Sequence, residues 1–197
     1  MKKPDYQKPD YFARKAKEKG FPARSVFKLA ELDQKYKILA KGMRVLDLGA
    51  APGSWMKYAG EKVGEKGLVV GIDRDKLGRQ IGANEIFIQE DVFKIEAQEL
   101  KNKFGSFDLV LSDLAPFTSG QKATDALRSV ALAERAYKIA EGVLKGGGNF
   151  LVKVFQGPGY DEFFQLLKQK FLSVKSFKPK SSRPSSKEMY IFCRGRK

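Results

Sequence analysis

From Arg44 onward, short apolar or β-branched runs alternate with longer stretches of helical period, the pattern of a sheet built mainly from parallel strands with helices on its faces. Strands are predicted near 44–48 (RVLDL), 68–72 (LVVGI), 86–89 (IFIQ), 108–112 (DLVLS), 149–155 (NFLVKVF), 171–177 and 189–193 (MYIFC), seven in all. Helices are predicted near 54–63, 121–144 and 159–170, with Gly146–Gly148 closing the second before the fifth strand, and weaker helical patterns run over 76–83 and 94–103. Ahead of the sheet, Val26, Leu29 and Ala30 give an apolar face to a helix within 23–38, while Lys28, Glu31 and Lys35 fall elsewhere. The tetrapeptide KPDY at 3–6 and again at 8–11 predicts an extended or turn-rich arm over about 1–21. No flexible linker divides the remainder, so residues 1–197 read as a single α/β domain with a basic N-terminal arm.

Composition narrows the chemistry. No apolar run reaches the 18 or more residues of a membrane span, and the first twenty residues lack the apolar stretch of a signal peptide, so a cytoplasmic protein is expected. Cys193 is the only cysteine and histidine is absent, which excludes an internal disulfide, an ordinary zinc site and a histidine general base. Charge points to a polyanionic partner: residues 1–19 hold seven Lys/Arg against three Asp/Glu and residues 175–197 eight against one, so the ends carry +4 and +7 of the formal +15. Tyr6, Tyr11, Phe12 and Phe21, interleaved with Lys15, Lys17 and Lys19, suit stacking and phosphate contact with RNA, or docking on the core.

An open α/β sheet binds ligands beyond the carboxyl ends of its strands. Four polar places stand there: Gly49–Trp55 (GAAPGSW) after the first strand, Asp73 after the second, Asp91 after the third and Asp113 after the fourth. The small residues of the first place let a ligand approach the backbone, and its G-A-A-P-G order is not the G-x-G-x-x-G of dinucleotide-binding oxidoreductases. Asp73 can accept both ribose hydroxyls of an adenosine-containing cofactor, and Asp91 its amino group; taken singly, each is equally a loop or capping aspartate. Lys153 interrupts a strand of buried appearance, FLVKVF, where an unpaired ammonium is costly, so it requires a carboxylate such as Asp113.

DLGAAPGSW, SDLAP, LVKVFQG and SSRPSSKEMY, spread over about residues 22–194, resemble the motifs of the FtsJ-like ribose 2′-O-methyltransferases. The resemblance implies a Rossmann-like, seven-stranded methyltransferase sheet with its last strand antiparallel, and S-adenosylmethionine as methyl donor. It places Gly49, Pro52, Gly53, Trp55, Asp73, Asp91 and Asp113 at the donor pocket, and Lys28, Asp113, Lys153 and Glu188 at the family's Lys-Asp-Lys-Glu tetrad. Two roles for Lys153 stay open: acceptor of the 2′-hydroxyl proton, or a charged group that orients the hydroxyl. Arg24, Arg183 and Lys187 read as phosphate contacts at the same mouth. Tyr190, two residues beyond Glu188, reads as a substrate contact or core packing. Phe117 stands where bacterial large-subunit members commonly have asparagine.

The expected activity is therefore methyl transfer, without metal and as a monomer, to a ribose 2′-hydroxyl of RNA. A uridine of large-subunit (23S) rRNA is the favoured target and a tRNA anticodon-loop ribose the runner-up. A non-catalytic RNA-binding assembly factor is the rival from another class.

Overall fold

A computed structural model of the chain describes residues 11–183 and 185–197. The first KPDY, Tyr6 and the opening of the predicted arm lie outside the described residues. Seven strands form one sheet in the order β3-β2-β1-β4-β5-β7-β6: β1 (Arg44–Leu48), β2 (Leu68–Asp73), β3 (Glu85–Gln89), β4 (Phe107–Ser112), β5 (Leu144–Phe155), β6 (Phe171–Phe177) and β7 (Glu188–Arg196). Pairings from β3 through β5 are parallel, and β7 runs antiparallel to both β5 and β6, as expected. The chain starts in the middle, at β1, winds outward to β3, and returns to β4 on the other side of β1. That reversal opens a crevice at the carboxyl ends of β1 and β4.

The inner strands are apolar in succession because both faces are covered. One face packs against α4 (Ala97–Phe104), α5 (Lys122–Val143) and α6 (Tyr160–Lys170), burying Leu46, Leu48, Val110, Phe150 and Val152. The other packs against α2 (Val26–Tyr36) and α3 (Ser54–Val63), burying Val45, Leu109, Leu111, Leu151 and Tyr190. On α5, Ala126, Ser129, Ala133, Ala136 and Ala140 recur at helical spacing, and their small side chains bring the helix close to the sheet. Truncating a core ring such as Phe150, which is fully buried, to alanine costs about 3–5 kcal/mol.

Three expectations differ from the structure. Residues Tyr11–Glu18 form a helix, α1, rather than an extended arm; Ala, Arg and Lys favour helix here, Ala16 is buried, and Phe12 lies 5.6 Å from the ring of Phe27. Residues 76–83 are not helical, since Gly78 and Gly82 each cost a helix about 1 kcal/mol. Instead Arg79 holds this segment by pairing with the buried Glu85 at 2.8 Å and donating to the carbonyl of Gly53 at 2.9 Å. Strand β5 begins at Leu144, so Gly146–Gly148 lie within its opening residues, where the register against β4 shifts between Phe107 and Leu109. Among the described residues no helix is long and apolar enough to cross a membrane.

Candidate active site

The turn after β1 is shaped by two glycines. Gly49 has φ +82°, and a side chain there would come within 3.1 Å of Leu114; its amide and that of Ala50 both bond the carbonyl of Ile72, tying β1 to the end of β2. Gly53 has φ +108° and caps α3, where a side chain would meet Arg79 at 2.8 Å. Beside this turn a cleft of about 410 Å³ is lined by Gly49, Ala51, Asp73, Asp91, Asp113 and Phe117, among others. Asp73 accepts the amides of Ala51 and Asp75, each at 2.9 Å, which fixes both carboxylate oxygens while leaving each a further lone pair. Asp91 caps the short turn Val92–Lys94 by accepting the amide of Phe93 at 2.9 Å. Phe117 is largely exposed, and the guanidinium of Arg74 lies 4.8 Å from its ring, so residues following β2 and β4 meet across the cleft mouth.

Pro52, Gly53 and Trp55 have other surroundings. Trp55 is buried, stacks at a tilt on Tyr190 with centroids 5.7 Å apart, and donates its indole N–H to the carbonyl of Ser25 at 2.8 Å. Its neighbour Ser54 accepts the amide of Ala23 at 2.7 Å and donates to the carbonyl of the same residue at 3.1 Å. The first turn of α3 thus grips the segment that leads into α2. Of the expected pocket residues, Gly49, Asp73, Asp91 and Asp113 meet at the cleft, while Trp55 stands behind it as an anchor.

The four residues of the predicted tetrad converge from α2, the end of β4, the carboxyl end of β5 and the start of β7. Lys153, buried as its strand requires, donates to Asp113 Oδ1 at 3.0 Å and to the Asp113 carbonyl at 2.6 Å. Lys28 bridges both oxygens of Glu188 at 2.7 and 2.8 Å. Tyr190 joins the pairs: its hydroxyl donates to Asp113 Oδ1 at 2.6 Å, and the Lys28 ammonium lies 5.9 Å from its ring centre. Burial opposes the charge of Asp113, but Lys153, Lys28 and the Tyr190 hydrogen bond outweigh it and hold the carboxyl below its usual range. Tyr190 moves the other way, because burial and the carboxylates of Asp113 and Glu188 hold its phenol well above the usual value.

Tyr190 is fully buried with its hydroxyl on Asp113, so of its two readings the structure favours core packing over contact with RNA. Sequence reasoning missed Asp47. It is fully buried in β1, neither carboxylate oxygen has a hydrogen-bond partner among the described residues, and burial with the nearby Asp113 and Asp73 pushes its carboxyl well above the usual range. An aspartate within the apolar run RVLDL is the signal that could have found it.

Around the mouth, Arg24, Ser25, Lys28, Arg183, Ser186 and Glu188 line a second cavity of about 230 Å³. Arg24 donates to the Ser181 carbonyl and lies 5.6 Å from the ring of Phe12. Burial lowers its pKa first and the charge of Arg183 second, while Glu188 opposes them. Lys17, Lys19, Arg183 and Lys187 are exposed, and Lys15 lies over the rings of Tyr11 and Phe27.

Residues 21–196 match the sequence model of the FtsJ-like methyltransferase family. The chain is 49% identical over 183 residues to the "Ribosomal RNA large subunit methyltransferase E" of Desulfatibacillum aliphaticivorans, covering 92% of this chain and 88% of that one. It is 48% identical over 188 residues to the protein of the same name from Nitratidesulfovibrio vulgaris strain DP4, covering 94% and 92%. Among solved structures, one described as a ribosomal RNA methyltransferase from Plasmodium falciparum superposes with a TM-score of 0.79 at 31% identity, covering 89% of this chain and 98% of that one.

Proposed function

The chain belongs to the FtsJ-like methyltransferase family, and from that premise we propose that it transfers the methyl group of S-adenosylmethionine to a ribose 2′-hydroxyl of large-subunit ribosomal RNA. A uridine is the favoured target. The observation that carries this reading is the cluster of Lys153, Asp113 and Tyr190, closed on one side by the Lys28–Glu188 pair, at the lip of the cleft.

The cleft fits the donor: the Gly49–Ala51 turn has no room for a larger side chain at Gly49, and two carboxylates with spare lone pairs stand on its walls. Asp73 would hold the ribose hydroxyls and Asp91 the adenine amino group. S-adenosylmethionine, when bound, supplies an electrophilic methyl on a sulfonium. The protein's task is to align the 2′-oxygen with that methyl and to manage one proton.

Lys153 spends two of its bonding positions on Asp113 and keeps one for the ribose. As an ammonium, Lys153 would turn the remaining N–H on the 2′-oxygen, orienting it and stabilising the negative charge that grows as its proton leaves. The oxygen–methyl bond forms, the methyl–sulfur bond breaks, and the hydroxyl proton leaves to water. Lys28 and Glu188 flank the ribose. Lys15, Lys17, Lys19, Arg24, Arg183 and Lys187 contact RNA phosphates. A neutral Lys153 acting as base would instead make the rate climb with pH as the lysine loses its proton.

Lys153→Ala tests the assignment by single turnover with labelled donor on purified large subunits, and a fall of about 10²–10³ with donor binding retained is expected. A rate close to wild type rejects the role of Lys153. Offering large subunits, naked rRNA and unmodified tRNA at equal concentration tests the substrate, and methylation of tRNA alone rejects rRNA.

A further inference from the structure

We propose that the ledge between α2 and β6 is a second RNA-contact surface, along which the phosphodiester backbone leaves the catalytic mouth. The inference rests on the reading of RNA as substrate. Helix α2 carries Lys28 at the catalytic end and Lys35 two turns further on, about 10 Å along its axis. Strand β6 is the sheet's edge, with Phe177 opposite Tyr190 and Lys175 opposite Phe192, so Phe177 and Lys175 share the face on which α2 packs. The helix does not cover that edge. Between them lies a groove of about 550 Å³ lined by Glu31, Gln34, Lys35, Phe177 and Lys180.

The ledge combines ring faces with cations. The Lys35 ammonium lies 4.5 Å from the ring centre of Phe177 and 5.2 Å from that of Tyr36, with Lys175 6.0 Å from Tyr36. Arg194 reaches over Phe192 at 5.7 Å and donates to the Tyr36 carbonyl at 2.8 Å. These contacts hold long side chains in place before any ligand arrives, lowering the entropy lost on binding. Among the described residues, Lys35, Lys175, Lys180 and Arg194 form no ion pair. The groove's one acid, Glu31, is engaged by the amides of Lys180 and Ser181 at 2.7 and 2.9 Å. Beyond Lys180, Arg183 lines a cavity together with Arg24, Lys28 and Glu188, so basic residues stand between the ledge and the reacting end. A phosphate chain answers this chemistry, with the partly exposed edges of Tyr36 and Phe177 left for bases.

The test replaces Lys35, Lys175 and Lys180 together by glutamine, with a control that removes the same charge from α4 and α5 on the opposite face: Lys101→Gln, Lys103→Gln and Lys138→Gln. Affinity for fluorescein-labelled single-stranded RNA is measured by anisotropy across a salt series, alongside methyl transfer to purified large subunits. The ledge variant is expected to lose about tenfold or more in affinity and about 2 from the slope of log affinity against log salt, since each single-strand phosphate contact contributes about 0.7. Its KM for large subunits rises while kcat holds, and the control stays near wild type. Equal losses in both variants, or none in either, overturn the ledge. If the wild type itself shows no salt-dependent RNA binding, the RNA reading fails and the ledge with it.

Discussion

Replacing Tyr190 by phenylalanine removes one oxygen from the interior of the tetrad and leaves the ring in place. That oxygen donates to Asp113 Oδ1 at 2.6 Å, and the residue is fully buried against Trp55. Because burial and the nearby carboxylates raise the phenol's pKa, the group stays a donor throughout the working range. A hydrogen bond to a charged group contributes about 1.5–3 kcal/mol, so Tyr190→Phe should be less stable than wild type by that amount at neutral pH. The pH dependence carries the sharper test. The folded pKa of Asp113 is depressed, so its contribution is present above the unfolded carboxylate value and is lost as pH falls through the folded pKa. Without the phenol that folded pKa moves up. The stability gap should stay constant until pH reaches the variant's folded pKa, then narrow as the wild type alone goes on losing. It should settle near about 1 kcal/mol, the worth of a neutral hydrogen bond. Urea unfolding followed by the fluorescence of Trp55, the only tryptophan, measures this from about pH 7 to about pH 3. A gap that is the same at every pH would show that the hydroxyl acts through packing and would refute the electrostatic account.

Two other variants probe the cleft and the strand beneath it. Asp73→Ala removes two acceptors that fix the amides of Ala51 and Asp75, and S-adenosylmethionine affinity should fall about 10- to 100-fold by calorimetric titration; unchanged affinity ends the ribose assignment. Asp47→Asn should stabilise the protein at neutral pH. The folded pKa of Asp47 is raised, so its contribution is present below the unfolded value and is lost as pH rises toward the folded one. The uncharged variant escapes that loss, its melting temperature should exceed wild type by about 2–4 °C for each kcal/mol recovered, and a deficit at every pH would show that Asp47 serves an attractive partner.

What was legible in the sequence was set by period and by single residues in the wrong company. LVVGI and the LVL within DLVLS are continuous apolar runs because helices cover both faces, so the strands' number and places were visible. Lys153 betrayed itself by interrupting FLVKVF, and its partner Asp113 stands where the neighbouring strand ends. The N-terminal helix was hidden by the proline-bearing repeat beside it, whose local preference for extended chain stops at Tyr11. The burial of Trp55 and Tyr190 was not legible for a different reason. Both lie in motifs that carry chemistry, yet the direction of a side chain depends on what packs against it, and proximity in sequence to Gly53 or Glu188 does not report that.

Lys28 is the one tetrad member carried by a helix, and that helix is attached to the DLGAAPGSW segment. Gly49 and Ala51 face the cleft, whereas Ser54 and Trp55 bond Ala23 and Ser25 at the entrance to α2. At its other side α2 is held by Glu31, which accepts the amides of Lys180 and Ser181 in the segment leading to Glu188. Lys28 therefore sits between two polar anchors, one at the turn that lines the cleft and one in the segment that precedes β7. In-line transfer loses about 10²-fold when the reactants are displaced by about 1 Å. A helix attached only to its own neighbours could drift by that much against the donor. Fastened through α3 to the turn that lines the cleft, Lys28 is held in register with that turn by the helix start that Gly53 caps, the alignment that the proposed methyl transfer would need.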